Sequence, residues 1–599
     1  MKNVLTLLVL LLVASGAVHD ARADEMAASE TDLVTIRYDL RGLVPGVEGE
    51  QQWLQVLPFK LHHDWNDDDD VDWFEEEYDL PDAFYELITG ILAPDEFSQA
   101  NREIEARDQH TLVITAPESV HDSVRAAFDM VRAATHRRVV LQVDEFHLRR
   151  MPTAAEIADP DHLLESATVA FRDSRKHEML LGQTSVLRLE SSHRVLRDWD
   201  SEIAQGAFAS DPEFDDWPTG SVSMLRLEES AIGGAFRLRF LHRASEVVEW
   251  ETRETNARAS VSVDSKVVSQ PGTGVIDQPR IAVGTSVGSR LVGIGDAVTV
   301  ASTVETADGP LGVVLRYRLE SVAPAPEPVR FDLGQEYDGE ELPEDHGLLV
   351  MRDLSALLWN ATDVPRLDAR QYWPTRYDGD TESIDPVGFP STEWDVGRVE
   401  DVLDNAIYDG PGPSYRSMHG GWNLLAGMQA GLDRAERHVA LTAPRGRALI
   451  VDVRIEAQPR TGGTPQVIGR VSLPLESSGS AMTLCGVGGL ALTDYEVDVA
   501  NSAASPDPRT TGYFDGLSVT ARGIGDESVD LAITVHRLAT RERVDLGAQT
   551  AGSIDRLGFD RLEVRRHVTA DGEEHRWGGA SMGLAGSMGL ELVVSVRRE

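Results

Sequence analysis

Two kinds of hydrophobic pattern alternate along this chain of 599 residues. Apolar residues recur at helical spacing from Asp82 to Leu92 and again from Glu118 to Ala134. Around these two segments lie short β-rich runs, at Ile36–Leu40, Thr111–Thr115 and Arg138–Asp144. The order strand, helix, strand, helix, strand predicts a small α+β domain whose helices cover one face of a sheet.

The helical spacing disappears between Leu180 and Val322. Short alternating runs replace it, for example Ser223–Leu227 and Phe236–Phe240, and Gly, Pro and Asp separate them. Alternation with a period of two between turn residues predicts antiparallel β-structure. The proline-rich stretch Ala323–Pro328 then predicts a stiff linker.

After this linker the first pattern starts again. Leu349–Leu354 has the character of the opening strand, and His438–Pro444 aligns with Thr111–Pro117, which predicts another strand. Only two residues separate that segment from Arg447–Val453, which aligns with Arg138–Asp144, so we expect the long second helix to be missing from this copy. The first helix has a counterpart in the apolar residues Val399, Val402, Leu403 and Ile407.

The β-rich segments contain the strongest internal repeat. Residues 198–228 align with residues 494–524 at a constant offset that keeps Gly220 over Gly516 and the Asp-Pro pair at 211–212 over that at 507–508. Leu189–Ser192 and Leu475–Ser478 form a further repeated pair in our interpretation, and so do His242–Arg243 and His536–Arg537. Duplicated structural units are typical of proteins that build surfaces or assemble.

The predicted fold class is therefore α+β and all-β, with a small α+β unit and an antiparallel β-rich unit that occur together twice. The predicted segments are a signal peptide at 1–23, an α+β unit at 34–148 with an acidic insert at 51–81, a β-rich unit at 178–322, a proline-rich and acidic linker at 323–347, a second and eroded α+β unit at 348–457, and a second β-rich unit at 467–599.

The N-terminus has the layout of an export signal. Lys2 is followed by an apolar run from Leu5 to Val13, and Ala21–Ala23 offers small residues for cleavage. The run is shorter than the ~20 residues that a membrane-spanning helix needs. The only cysteine, Cys485, excludes an intramolecular disulfide. We therefore expect an exported protein without a transmembrane helix.

The charge of the chain limits its partners. The formal net charge is -44, and only four residues are lysine. Nucleic-acid binding requires Lys and Arg against phosphate, so the composition argues against it. The acidity keeps a large surface soluble.

Several segments resemble the secretin family, the ring-forming outer-membrane proteins of bacterial type II and III secretion systems. The matching segments are Tyr38–Val44, Leu92–Asp95, Leu112–His121, Val139–Val143 and, in the β-rich part, Glu202–Ala207 with its second copy. The resemblance implies α+β units that stack in rings, followed by a β-rich core. The family's Val-Pro-Leu-Leu-Gly type of gate motif does not occur here, and two cores in one chain is not the usual arrangement.

Two segments fit the Gly-x-Ser-x-Gly pattern of a hydrolase nucleophile, Gly284–Gly288 and Gly579–Gly583. That nucleophile lies on a turn between a strand and a helix. Both segments lie among alternating β-runs, so we interpret them as glycine-rich β-structure.

The acidic insert contains carboxylates at calcium-loop spacing, although Asp69 replaces the required glycine. A solvated acidic loop is the alternative, and we predict no zinc site at His62–His63 and a buried, unreactive Cys485. The calcium candidates are Asp64, Asn66, Asp68, Asp72 and Glu75.

Three functions stay open. The preferred one is an exported, non-enzymatic protein of the bacterial periplasm or outer membrane, a structural or assembly component related to protein secretion, whose open sheets pair with further copies or with protein partners. The second is a periplasmic or surface binding module built on β-rich scaffolds. The third is a secreted serine hydrolase. No cofactor and no nucleic-acid partner is expected.

Overall fold

The computed structural model describes, with short gaps, residues 33–43, 80–164, 169–332, 346–354, 402–403, 414–417, 422–442, 447–500, 503–546, 552–582 and 588–598. Within these residues no helix is long and apolar enough to span a bilayer.

The first α/β layer is a three-stranded antiparallel sheet in the order β1-β3-β2, with helices on one face. Helix α1 packs Phe84 against Phe128 of α2, with ring centroids 4.8 Å apart, and Tyr38 of β1 contacts the same ring at 5.4 Å. The sequence pattern did not predict β2. The elements are β1 (Leu33–Asp39), α1 (Leu80–Leu87) with a π-turn (Ile88–Leu92), β2 (Glu103–Asp108), β3 (Thr111–Pro117) and α2 (Glu118–Thr135).

The second α/β layer is a four-stranded sheet in the order β14-β15-β17-β16. Its Leu349 and Leu424 pack with residues of the first layer, whereas Val350 and Leu425 pack with residues of helix α5, so both faces are buried. The elements are β14 (Val329–Asp332), β15 (His346–Asp353), β16 (Ser414–Ser417), β17 (Trp422–Gly427) and α5 (Gln429–Thr442).

Two predictions about this layer were wrong. Of the expected strand at His438–Pro444, the described residues His438–Thr442 are the end of helix α5, because Leu432, Ala435 and Val439 recur at helical spacing and face the sheet. The second copy therefore keeps a helix before its next strand. The expected linker contains β14, which pairs with β15 from Val329 to Asp332.

An eight-stranded antiparallel sheet follows the order β24-β25-β18-β19-β12-β13-β4-β5. The segment Arg138–Asp144, expected to close the first α+β domain, opens this sheet as β4. Two short helices, α3 (Ala154–Ala158) and α4 (Asp161–Leu164), connect β4 to β5. The strands are β4 (Arg138–Leu148), β5 (Val169–Leu180), β12 (Ala297–Thr306), β13 (Gly309–Val322), β18 (Ala448–Pro459), β19 (Gln466–Glu476), β24 (Glu574–Met582) and β25 (Met588–Arg598).

A ten-stranded sheet packs against the eight-stranded one. Eight of its strands run in the order β6-β7-β8-β11-β20-β21-β22-β23, and the hairpin β9–β10 joins β21 near Ala503. The strands are β6 (Thr184–Ala204), β7 (Ala207–Glu229), β8 (Phe236–Thr255), β9 (Arg258–Val263), β10 (Lys266–Pro271), β11 (Gly274–Val292), β20 (Ser480–Ala500), β21 (Ala503–Ile524), β22 (Ser528–Asp545) and β23 (Ser553–Thr569).

The main hydrophobic core lies between these two sheets. It includes Leu141 and Tyr317 of the eight-stranded sheet and Phe240, Cys485 and Val519 of the ten-stranded sheet. The rings of Phe240 and Tyr317 stack with centroids 5.2 Å apart. Alternate residues of each strand fill this layer, which is the usual basis of sheet-on-sheet packing.

Candidate assembly interface

Both large sheets contain two four-strand blocks with the same strand order, and the ten-stranded sheet has the hairpin β9–β10 in addition. We call β4–β8 with β11–β13 unit 1, and β18–β25 unit 2. In the eight-stranded sheet the order is β12-β13-β4-β5 within unit 1 and β24-β25-β18-β19 within unit 2. In the ten-stranded sheet the order is β11-β8-β7-β6 within unit 1 and β23-β22-β21-β20 within unit 2. Strands that occupy the same place in the two units are called counterparts below.

The first hairpins of the two units, β6–β7 and β20–β21, share their register in detail. Ala204 pairs with Ala207, and Ala500 pairs with Ala503. Each ladder shifts by one residue at the same place, between Leu196 and Asp198 in unit 1 and between Leu492 and Asp494 in unit 2. These are the segments that repeat in the sequence, so the repeat extends to the position of a β-bulge.

A glycine near the end of each hairpin is required by close approach of the backbone. A Cβ added to Gly220 would collide with the carbonyl oxygen of Leu189, and one added to Gly516 would collide with that of Cys485. Leu189 and Cys485 are themselves counterparts. Both units therefore need glycine for the same contact.

The second pair of hairpins, β8–β11 and β22–β23, also shares a bulge. One extra residue lies in β8 at Val248 and one in β22 at Ala539. Ser245 and His536 each lie opposite the required glycine of the neighbouring strand. The counterpart of His242 is therefore Ile533, and the interpretation of His242 and His536 as a repeated pair was wrong.

The upstream pair was also misaligned. Leu475 and Glu476 are the last two residues of β19, whereas Leu189–Ser192 lies inside β6. The turns that follow β5 and β19 have the same length, so the counterpart of Glu476 is Leu180.

The two units join through both sheets at once. In the ten-stranded sheet β11 pairs with β20, and in the eight-stranded sheet β12 pairs with β19. The hydroxyls of Ser286 and Thr483 lie 3.1 Å apart across the first joint. A Cβ on Gly284 would lie 2.7 Å from Cγ2 of Val313 in the facing sheet, so a small residue is needed there. The Gly284–Gly288 motif thus lies in a strand at the joint.

Buried polar groups fix this joint. Arg237 of unit 1 donates to both carboxylate oxygens of Glu476 of unit 2, each at 2.9 Å, and both residues are almost fully buried. Burial alone lowers the pKa of Arg237, but the charge of Glu476, its hydrogen bonds and the charge of Glu228 together outweigh burial, and the pKa is raised. Asp515 accepts a 2.8 Å hydrogen bond from the amide of Ala307, and burial raises the pKa of its carboxyl. These buried contacts make the joint specific in register.

The outer edges of the sheets are the candidate site. Among the described strands, β5 and β24 end the eight-stranded sheet, while β6 and β23 each have one neighbour. Large apolar side chains are exposed on three of these edges, namely Phe171 (43%), Leu189 (51%) and Phe559 (43%). These edge strands are counterparts of the strands that pair at the internal joint. Strand β5 corresponds to β19 and β6 to β20, while β24 corresponds to β12 and β23 to β11.

The residues predicted to carry chemistry do not meet in a site. The calcium candidates and His62–His63 lie outside the described residues, as do the signal segment and the end of the second glycine–serine motif. Cys485 is buried in β20, and burial raises the pKa of its thiol to about 12. The described part of the chain contains no group of three His, Cys, Asp or Glu residues that could hold a metal ion.

Sequence reasoning missed a polar cluster between the sheets of unit 1, formed around Glu145, His147 and His242. The alternation of β4 with two ionisable residues on its apolar face was the available signal.

No protein-family model and no curated protein matches the chain. Solved structures give partial likenesses. The InvG secretin domain β-barrel from the Salmonella SPI-1 injectisome is 12% identical, with 41% of this chain and 81% of that chain covered and a TM-score of 0.19. The Klebsiella pneumoniae type II secretion system outer membrane complex, with PulD, PulS and the PulC HR domain, gives 12% identity, coverage of 40% and 48%, and a TM-score of 0.18.

The pilotin–secretin AspS–GspD complex of ETEC is 8% identical, with 51% of this chain and 66% of that chain covered and a TM-score of 0.19. The chain is similar to parts of secretins.

Proposed function

We propose that this chain is a non-enzymatic structural component of the bacterial cell envelope, related to protein secretion, that assembles head to tail through its open sheet edges. The observation that carries the proposal is that the four outer strands of the two units, β5, β6, β23 and β24, are the counterparts of the strands already paired at the internal joint. A tandem duplication of one sheet-building unit accounts for this arrangement, and the shared bulges and the shared glycine contact support it.

The internal joint supplies the register for contact between copies. Ser286 lies opposite Thr483 inside the chain, so their counterparts, Val564 and Leu187, lie opposite each other when β23 of one copy pairs with β6 of the next. In the same register Leu562 meets Leu189, so the contact covers a large apolar side chain that is exposed on that edge.

The charges and the second sheet agree with this register. Val283 lies opposite Gly486, and their counterparts are Arg561 and Glu190, which have opposite charge. In the eight-stranded sheet Ala301 lies opposite Ser472, which places Gly578 of β24 opposite Lys176 of β5 in the next copy. Both sheets continue on the same side of the molecule, as a heterologous contact requires.

Unpaired edges favour association because their backbone groups gain partners there. The contact is heterologous, so it closes into a ring or continues as a filament according to the rotation between copies. Export rests on the signal-like N-terminus, and the relation to secretion on the secretin-like segments of the sequence. The buried position of Ser286 and its hydrogen bond to Thr483 give the first glycine–serine motif a structural role.

Disulfide trapping tests the register. We would introduce Leu187→Cys and Val564→Cys together into the full chain with Cys485→Ala, and oxidise the assembled protein. A ladder of covalent multimers on a denaturing gel is expected. The matched control is Ser286→Cys with Thr483→Cys, the counterpart positions inside one chain, which should yield a cross-linked monomer and no ladder.

A slipped pair provides a second control. Leu187→Cys combined with Leu562→Cys is two residues out of register and should cross-link much less. A monomer at every concentration tested, with no ladder from the matched pair, would overturn the assembly proposal and favour the binding module.

A further inference from the structure

A cluster of polar side chains is sealed between the two sheets of unit 1. Nε2 of His147 lies 2.6 Å from Oε1 of Glu145, and Nε2 of His242 lies 3.5 Å from the same oxygen. The other ring nitrogen of His242 lies 2.8 Å from the Ser223 hydroxyl. Glu145, Ser223 and His242 are each no more than 1% exposed, as is Tyr317 beside them.

The same positions in unit 2 are apolar. The registers of the paired strands give Ile455, Ala457, Val519, Ile533 and Val594 as the counterparts of Glu145, His147, Ser223, His242 and Tyr317. All five belong to the core between the sheets. The fold therefore accepts hydrophobic residues at every one of these positions.

The apolar residues of unit 2 show that the stability of the fold does not depend on polar side chains at these positions. A buried charged cluster is often no more stable than well-packed hydrophobic residues of similar volume, because the ions lose their hydration. Unit 2 shows the hydrophobic solution in the same topology. Packing alone does not require the polar cluster of unit 1.

Catalysis does not account for the cluster either. Serine, imidazole and carboxylate follow one another as in hydrolytic triads. However, the Ser223 hydroxyl faces the interior between two packed sheets, and a substrate has no access to it.

We propose that Glu145, His147 and His242 form a proton-dependent clasp that holds the two sheets of unit 1 together more strongly in mildly acidic than in mildly alkaline solution. The strands β4 and β8 lie in different sheets, so the contact between Glu145 and His242 bridges the layer. The proposal concerns the folded chain itself and does not depend on assembly.

The sign follows from charge. Burial alone raises the pKa of the Glu145 carboxyl, but the charge of His242 and the hydrogen bond with His147 outweigh it and hold the pKa well below its ordinary value. The carboxylate therefore stays ionised across the neutral range, in which imidazole is the side chain that can gain or lose its charge. Each imidazolium lost as the pH rises leaves that buried charge with less compensation, so the clasp weakens upward through this range.

Other ionisable groups face the same layer. Asp173, opposite Glu145 on β5, lies 2.9 Å from Arg175 as an ion pair of the same strand. His177, also on β5, has its pKa lowered by burial and then by Arg175. Their counterparts Gly469, Val471 and Leu473 are again uncharged, so unit 2 has no equivalent of the cluster at these positions.

The cluster has a route for protons. A cavity of about 20 Å³, room for one water, is lined by His147 and by the thiol-bearing Cys485. The ion pair between Arg149 and Glu246, 2.6 Å apart, borders it. The His147 side chain is 15% exposed, so it can exchange protons with solvent through this opening.

Hydrogen exchange of the intact chain, measured by mass spectrometry of its peptides between pH 5.5 and 8.5, tests the clasp. The readout is the ratio of the protection of β4 and β8 to that of β18 and β22 in the same sample, because the ratio cancels the intrinsic effect of pH on exchange. We expect the ratio to fall with rising pH, by up to tenfold per pH unit for each proton released.

Three variants make the test decisive. Glu145→Gln and the triple variant Glu145→Ile, Ser223→Val, His242→Ile, which installs the unit 2 residues, should each abolish the pH dependence of the ratio. His567→Ala removes an exposed histidine that lies 2.9 Å from Asp530 and should leave it unchanged. A ratio independent of pH in the unaltered protein, or one that still falls in Glu145→Gln, would overturn the proposal.

Discussion

Units 1 and 2 build the same eight strands with different interiors. Unit 1 encloses Glu145 and His242 where unit 2 encloses Ile455 and Ile533, and only unit 1 carries the extra hairpin β9–β10. Strand order, turn position and two bulges are nevertheless shared. The comparison teaches that turn lengths, bulges and required glycines specify this topology, while the core tolerates changes of chemistry if its groups are satisfied.

The largest loss of stability should come from placing the charged residue of unit 1 at its counterpart position in unit 2. Ile455→Glu places a carboxylate in unit 2 without the histidines that surround Glu145, and we expect a loss of about 3–5 kcal/mol, the cost of a buried uncompensated charge. The reverse exchange of the whole set, Glu145→Ile with Ser223→Val and His242→Ile, should cost much less, because replacing a buried polar pair by well-packed hydrophobic residues is often neutral. Denaturant unfolding of the two variants measures both, and equal losses would contradict the comparison.

A smaller and symmetrical effect is expected at the shared glycines. Gly220→Ala and Gly516→Ala should each destabilise the protein by roughly 1–3 kcal/mol, because the added methyl group forces the opposing backbone to move. Thermal unfolding checks this. If one variant unfolds like the unaltered chain and the other does not, the two hairpins are not equivalent in their packing.

The smallest effect is expected at an exposed ion pair. Glu563 lies 3.1 Å from both Arg561 and Arg565, and its side chain is 41% exposed. Glu563→Gln should change stability by less than about 1 kcal/mol, since such pairs are screened by solvent. A larger change in the assembled state than in the monomer, by unfolding at two protein concentrations, would place this edge at a contact between copies.

Much of the architecture follows from the sequence. The alternating pattern indicates the β-rich halves, and the repeat of residues 198–228 indicates two equivalent hairpins. The helix α5 was misread as a strand because the alignment of His438–Pro444 with Thr111–Pro117 outweighed the helical spacing of its apolar residues. In a segment this short, the spacing of apolar residues is a weak signal for helix or strand, so an alignment with a known strand pattern decides the prediction.

The joint and the polar cluster were beyond sequence reasoning for a different reason. Pairing of β11 with β20 brings together residues almost two hundred positions apart, and no local pattern reports it. The proximity of Glu145 to His242 depends on the packing of two sheets. Their counterparts could be identified only when the strand registers were known, as the displaced match of His242 with His536 shows.

The internal joint affects how the assembly depends on protein concentration. Because β11 and β20 belong to one polypeptide, every second contact along a head-to-tail assembly is tethered, and its two surfaces meet at an effective concentration fixed by the connecting chain. Only the alternate contacts respond to dilution. Any closed assembly of whole chains then holds an even number of units, and it disassembles into two-unit blocks instead of single ones.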